Sequence, residues 1–384
     1  FGLEAVLECS RKSDHPAMVK KSKCADGRMP LGSPSAILRT CPPEIKGTHA
    51  DWRPMPFGLR APVYAMAPMV KQSDRPFRDM CLAYGCTLLY TEMLMADEFA
   101  SSAEYRTRAL GRGVGDPGHP LLVQFAANDP ETLLAAALEA QHLGADGVDL
   151  NLGCPQKRAR EGRYGAWLCD RDDWGVCAAL VRTCACCTDL GIPVTCKIRL
   201  QPDPSATLEF ARLLQDAGCA MLAIHGRQRG SEALRRDGAA DLDAIRQVRS
   251  GLVIPVLSNG NIRGPADVVT ALSVTGCEGV MSAEQLLRDV ALFARVQATS
   301  ASAAVPSVDQ LADEYLRRCA AQAELEDDGE RYTVWAASDA EVTKQHLKGM
   351  LTATGRGFLP PRLCLRVDQI KFRDQGGPTE STDP

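Results

Sequence analysis

The run Asn151-Leu152-Gly153-Cys154-Pro155-Gln156 holds a thiol between a glycine and a proline, and Arg163-Tyr164-Gly165-Ala166-Trp167-Leu168 follows close behind. A free thiol has a pKa of about 8.5, so Cys154 is mostly protonated at neutral pH and suits the role of proton donor. As a nucleophile it would need an activating base, and no His or Asp lies at a telling spacing. A buried, inert cysteine is the plain alternative.

Lys197 lies in Val194-Thr195-Cys196-Lys197-Ile198-Arg199, a run of buried type, so its ammonium must reach a cavity or meet an opposite charge. A bound flavin would provide that charge, since its reduced ring is negative near N1; an acid on a neighbouring strand would serve equally well. Gln124 offers a donor and an acceptor, which fits the edge of a pyrimidine-like ring, a helix cap or a water. Asn259-Gly260-Asn261 and Ser282-Ala283-Glu284 end two successive apolar runs, and each precedes a helical pattern. Backbone N–H groups at such places bind phosphate, although Asn-Gly is also a common tight turn. His225 is a further donor or a satisfied core histidine. Pro68, Met69, Asn151, Arg199 and Arg227 occupy the same kind of position, at or just beyond the end of an apolar run.

Those positions make sense only if the runs are strands. Eight of them, 63–69, 88–93, 121–126, 147–153, 194–200, 221–226, 255–260 and 279–283, are separated by segments with helical spacing. After the third run Asp129 is the expected N-cap, with Pro130 in the first turn and Leu133, Leu134, Ala137 and Leu138 on one face. Eight strand–helix units favour a closed (β/α)8 TIM barrel, and no GxGxxG follows the first run to support an open dinucleotide-binding sheet. The active site of such a barrel is expected at the strand C-termini, where these residues fall.

Residues 1–60 mix lysines with Pro, Ser and Gly and read as a flexible N-terminal arm, with the barrel over 61–300. Capping-box signatures at Ser307/Gln310 and Ser338/Glu341 predict a small helical domain over 305–358, and the charged stretch 359–384 reads as a flexible tail.

Composition excludes several classes. The chain has 384 residues, 44 basic against 48 acidic, so whole-chain charge says nothing about a polyanionic partner and local clusters must decide. The 16 cysteines sit in a chain too long to need disulfide staples and are read as free thiols. The CxxC of Cys184 and Cys187 has no second pair or nearby His, so no metal site is expected. No membrane span or secretory signal is visible, which points to a cytoplasmic protein, with nuclear and organellar placement left open. No stable protein partner is expected.

The sequence resembles the tRNA-dihydrouridine synthases. The resemblance runs in order through APMV at 67–70, LLYTEML at 88–94, VQFAANDPETLLAAA at 123–137, GADGVDLNLGCPQ at 144–156, YGAWL at 164–168, PVTCKIRL at 193–200, HGR at 225–227, SNGNI at 258–262 and GVMSAE at 279–284. NLGCPQ, YGAWL and GVMSAE look most like the eukaryotic group acting on uridines 16 and 17 of the D-loop. The resemblance implies a TIM barrel with FMN across its strand C-termini, NADPH or NADH as electron donor, and a following helical domain that helps hold tRNA. It implies flavin contacts at Pro68, Met69, Gln124, Lys197, His225, Asn259, Gly260, Asn261, Ser282 and Ala283. Cys154 would protonate uracil C5 while hydride from flavin N5 reaches C6, with Asn151, Arg199 and Arg227 at the substrate. Such chemistry requires the uridine to leave its stack. Lys157, Arg158, Arg160 and Arg163 would face phosphates or form a solvated surface, and Arg229, Arg235 and Arg236 are also suited to RNA. Many relatives carry Gly-Arg-Gly where this chain has Ser282-Ala283-Glu284, so phosphate binding there must rest on backbone N–H groups. A flavin barrel acting on a free small molecule, or a tRNA-binding protein without catalysis, are the other readings.

Overall fold

Short apolar segments buried on both faces become strands of a parallel sheet, and amphipathic segments between them become the covering helices. In this computed structural model, which describes residues 52–110, 119–230, 238–298, 306–325, 345–347 and 350, the two kinds alternate. The order is β1 (Val63–Met66), α1 (Arg75–Ala83), β2 (Leu89–Met95), α2 (Ala96–Ser101), α3 (Ala103–Leu110), β3 (Leu121–Ala126), α4 (Pro130–His142), β4 (Gly147–Leu152) and α5 (Lys157–Glu161). It continues through α6 (Trp174–Ala185), β5 (Val194–Leu200), α7 (Pro204–Asp216), β6 (Leu222–Gln228), α8 (Leu242–Ser250), β7 (Val256–Asn259), α9 (Pro265–Thr275), β8 (Gly279–Ser282), α10 (Glu284–Arg288), α11 (Leu292–Gln297) and α12 (Val308–Leu325).

All eight strands are parallel, in the order β1-β8-β7-β6-β5-β4-β3-β2. The remaining seam closes at the parallel bridge Ala65–Leu88, where Met66 N donates to Leu88 O at 3.0 Å. The fold is therefore the (β/α)8 barrel that the run spacing predicts. Helix starts follow local signals as well: Asp129 accepts from Thr132 N at 2.8 Å, and Ser307 and Gln310 form their reciprocal capping box.

Period two divides each strand between the barrel lumen and the helical layer. Val63, Ala65, Leu88, Tyr90, Leu122, Met221, Ala223, Leu257 and Met281 fill the lumen. Two strand positions beyond Leu122, Ala223 and Leu257, the same inward face carries Gln124, His225 and Asn259. An apolar floor thus gives way to a polar mouth at the strand C-termini.

The boundary of the expected N-terminal arm moves. Residues 52–60 belong to the barrel: Met55, Phe57 and Leu59 pack against the lumen cluster. Arg53 donates to Glu278 at 3.1 Å and to the carbonyls of Arg249 and Leu252 at 2.7 and 2.6 Å. The carboxylate of Glu278 is fully buried and needs cations, which Arg53 and Arg249 supply. Pro and Gly in this segment shape a plug, a role that composition alone does not distinguish from a mobile linker.

α12 lies on α1: Leu311, Ala312, Tyr315 and Leu316 share a core cluster with Tyr64, Met66 and Phe77. Tyr84 donates to Glu314 at 2.6 Å and Tyr315 to Asp74 at 2.9 Å. His346 stacks on Phe77 with ring centroids 4.3 Å apart, and its Nε2 lies 2.9 Å from Asp74 Oδ1. Leu347 and Met350 join the same cluster. The second capping box, the tail 359–384 and most of the arm fall outside the described residues.

Candidate active site

A cavity of about 590 Å³ opens at the C-terminal end of the barrel. All fourteen expected site residues line it: Pro68 and Met69 after β1, Gln124 on β3, Asn151 and Cys154 on β4 and its loop, Lys197 and Arg199 on β5, His225 and Arg227 on β6, Asn259, Gly260 and Asn261 at β7, and Ser282 and Ala283 at β8. With Met93 of β2 also in the lining, all eight strands contribute, and the size is that of a small-molecule site.

Cys154 is a reduced thiol on a loop whose shape is fixed from two sides. On one side, Asn151 Oδ1 accepts from the backbone N–H of Gly153 and Cys154 at 3.1 and 2.9 Å. On the other, Ala166 N donates to Cys154 O at 3.1 Å, and Gly165, at φ +64°, lies against the Cys154 backbone. A Cβ at Gly165 would approach Cys154 O to 2.9 Å, so the second motif is the wall on which the first one rests. Arg199 completes the clamp, donating through Nε to Gly153 O at 2.8 Å and through Nη1 to Gln228 O at 3.0 Å.

The Gln124 amide is committed within the protein, donating to Asp149 at 2.7 Å and accepting from Asn151 at 2.8 Å. One N–H and one lone pair remain for a ring in the cavity. Asp149, unremarked from sequence, is almost wholly buried on β4 and also accepts from Thr195 Oγ1 at 2.6 Å. Desolvation pushes its carboxyl up to about 6, against the pull of the Thr195 and Gln124 hydrogen bonds and of Lys197, so the carboxylate prevails at neutral pH. Asp149 and Asn151 are two apart on one buried strand, and that spacing was the sequence signal for it.

Lys197 holds no hydrogen bond or ion pair among the described residues, and desolvation, reinforced by Arg199, brings its ammonium down to about 8. Arg227 turns toward the β6 and β7 termini: Nη2 donates to Asn261 Oδ1 at 2.8 Å and Nη1 lies 3.1 Å from His225 Nε2. A guanidinium only donates, so His225 Nε2 accepts and its ring proton sits on Nδ1. Gly260 has φ +117°, and a Cβ there would come within 2.8 Å of Ala240 Cβ and 3.0 Å of His225 Cδ2, so the chain passes this corner only as glycine. Ser282 is among the residues lining the cavity, and its Oγ is buried with no hydrogen-bond partner among the described residues. An unsatisfied hydroxyl, a desolvated cation and a glycine corner suit a ligand that combines a polar ring with an anion. FMN is such a group, and these residues fit it. Arg263, overlooked in the sequence reading, adds an exposed cation at the rim.

The basic surface is partly engaged. Lys157 pairs with Glu161 at 3.5 Å and Arg163 with Asp173 at 3.1 Å. Arg160 and Arg229 lie over the Trp167 ring at 5.4 and 4.3 Å, and Arg229 also pairs with Asp170 at 3.0 Å. Arg229 thus braces the thiol loop's wall; Arg235 and Arg236 fall outside the described residues.

The family profile described as Dihydrouridine synthase (Dus) matches residues 65–350. The chain belongs to that family. It is 43% identical over 256 residues to the rat protein named tRNA-dihydrouridine(16/17) synthase NAD(P)(+)-like, covering 66% of this chain and 55% of that one. The Saccharomyces cerevisiae tRNA-dihydrouridine(16/17) synthase is 38% identical over 308 residues, 79% of this chain and 68% of its own length. The Schizosaccharomyces pombe protein of the same name is 36% identical over 257 residues, 66% of this chain and 63% of its own. The chain spans 55% and 50% of the lengths of the rat and mouse relatives. Among the described residues no helix is long and apolar enough to cross a membrane.

Proposed function

We propose that this dihydrouridine synthase reduces uridine to 5,6-dihydrouridine in tRNA, at positions 16 and 17 of the D-loop, with FMN as cofactor and NADPH or NADH as reductant. The position and the reductant follow the names of its relatives. The observation that carries the reading is one cavity lined by both Cys154 and Lys197. When bound, FMN would supply the hydride that uracil takes at C6.

The chain's residues do the rest. Cys154 gives its proton to C5, and the resulting thiolate recovers a proton from solvent through the open mouth. Lys197 offers positive charge to the reduced flavin ring, and Gln124 hydrogen-bonds the ring edge. Ser282 and the backbone around Gly260 and Ala283 hold the phosphate, aided by His225, Arg227 and Asn261. Asn151 and Arg199 line the path of the nucleotide. A uridine must be splayed from folded RNA to enter, and exposed Arg158 and Arg160 beside the loop suit the phosphates on either side. The helical segment 305–358 is proposed to support tRNA as well.

The test is Cys154→Ala. Flavin content and NADPH oxidation by oxygen should persist while dihydrouridine, measured by mass spectrometry in a tRNA transcript, disappears. Undiminished product would remove Cys154 as the acid. Turnover of free uridine at the rate of tRNA would favour a small-molecule oxidoreductase.

A further inference from the structure

The thiol loop hangs from a file of side-chain hydrogen bonds that starts deep in the lumen. Thr195 Oγ1 and Gln124 Nε2 donate to the two oxygens of Asp149 at 2.6 and 2.7 Å. Asn151 Nδ2 donates to Gln124 Oε1 at 2.8 Å, and Asn151 Oδ1 accepts the backbone N–H groups of Gly153 and Cys154. Gln124 is held in place from behind, its N–H donating to Thr91 Oγ1 at 3.0 Å.

The direction of the file has one source. A carboxylate has no proton to give, so it admits only the Nε2 end of Gln124 and turns Oε1 outward. Oε1 in turn admits only the Nδ2 end of Asn151. That leaves Asn151 Oδ1 for the two loop N–H groups. With the first acceptor removed, Gln124 and Asn151 can both reverse, and the NH2 of Asn151 would then face two other donors.

We propose that Asp149 is a positioning residue that, through Gln124 and Asn151, fixes the loop carrying Cys154. The loop's dependence on Asp149 holds whatever the protein reduces; only its importance for catalysis rests on the function proposed above. A competing role, plain counter-charge to Lys197, makes different predictions. Asp149→Asn loses the charge yet can keep the polarity: Oδ1 faces Gln124, Nδ2 faces Thr195 Oγ1, and the threonine hydroxyl donates to Val148 O, 3.3 Å away.

The experiment is amide hydrogen exchange at Gly153 and Cys154 in the purified full chain with its bound flavin. The amides of 256–259 in β7, across the barrel, report whether the fold is kept. Asp149→Ala should speed exchange at 153–154 by about tenfold, the scale of one lost net hydrogen bond, and Asp149→Asn should return it most of the way. Gln124→Met, cutting the second link, should match Asp149→Ala, and the double variant should add nothing further. In turnover, Asp149→Ala should lower kcat by about tenfold to a hundredfold, through misplacement of the acid, with a smaller change in the KM for tRNA. Unchanged exchange in Asp149→Ala, an Asp149→Asn variant as loose as Asp149→Ala, or additive effects would each overturn the proposal. If Asp149→Ala does not fold, Gln124→Met alone decides, and wild-type exchange there overturns it. A wild-type protein that makes no dihydrouridine would refute the proposed function while leaving this exchange result to judge Asp149.

Discussion

Gly165 is where a single methyl group should reach the chemistry. Its φ of +64° costs an L-residue about 1–2 kcal/mol, so Gly165→Ala begins with that strain. The new Cβ would stand 3.0 Å from Cys154 Cβ, 2.9 Å from Cys154 O and 3.2 Å from Cys154 N. Carbon–carbon contacts settle at about 3.5 Å or more, so the Cys154 backbone must retreat by about 0.5 Å. It cannot do so freely, because Asn151 holds its N–H and Ala166 its carbonyl. A displacement of about 1 Å at a reacting group costs on the order of a hundredfold, and half of that displacement corresponds to about tenfold. The expected outcome is a tenfold slower single-turnover formation of dihydrouridine, with about 1–2 kcal/mol lost in denaturant unfolding. Flavin content and NADPH oxidation should stay at wild-type values, since the residues proposed to hold the cofactor lie on other loops. Wild-type turnover and wild-type stability together would refute the claim that the second motif buttresses the first.

Other outcomes follow from the same geometry. Lys197 titrates near 8 in the flavin-free site, and an anionic ligand favours its protonated form. The affinity for reduced, anionic FMN, followed anaerobically by its absorbance, should therefore fall as pH rises through that value, and Lys197→Met should flatten the profile; an identical slope in the variant would reject the ammonium as partner. Charge reversal at Arg158 and Arg160 should weaken tRNA binding and reduce its salt dependence by about two phosphate contacts, and an unaltered salt slope would retire that surface. His346→Ala removes a buried ring stacked on Phe77 and the contact to Asp74, so unfolding stability should drop by about 3 kcal/mol. An unchanged denaturation midpoint would mean that this contact does not hold the C-terminal segment to α1.

Sequence and tertiary structure divide along the range of the forces involved. Strand alternation, N-caps such as Asp129 and the capping box at Ser307 act over a few residues, so the eight runs and their helices were legible from local pattern alone. With the barrel in hand, the rule that sites lie at strand C-termini brought all fourteen expected residues to one cavity. What pattern cannot specify is which partner a polar group takes across strands. Gln124 presents a donor and an acceptor, yet Asp149 and Asn151, 25 and 27 residues further along the chain, decide which end points where. Arg229 and Arg227 read equally as RNA ligands, but packing sets one on Trp167 and the other on Asn261. The segment 52–60 has the composition of a loose arm and becomes a plug because Arg53 meets buried Glu278, 225 residues away, while Met55, Phe57 and Leu59 pack on the lumen cluster. Each of these choices is made by desolvation and hydrogen-bond direction at contacts that exist only once the barrel has closed.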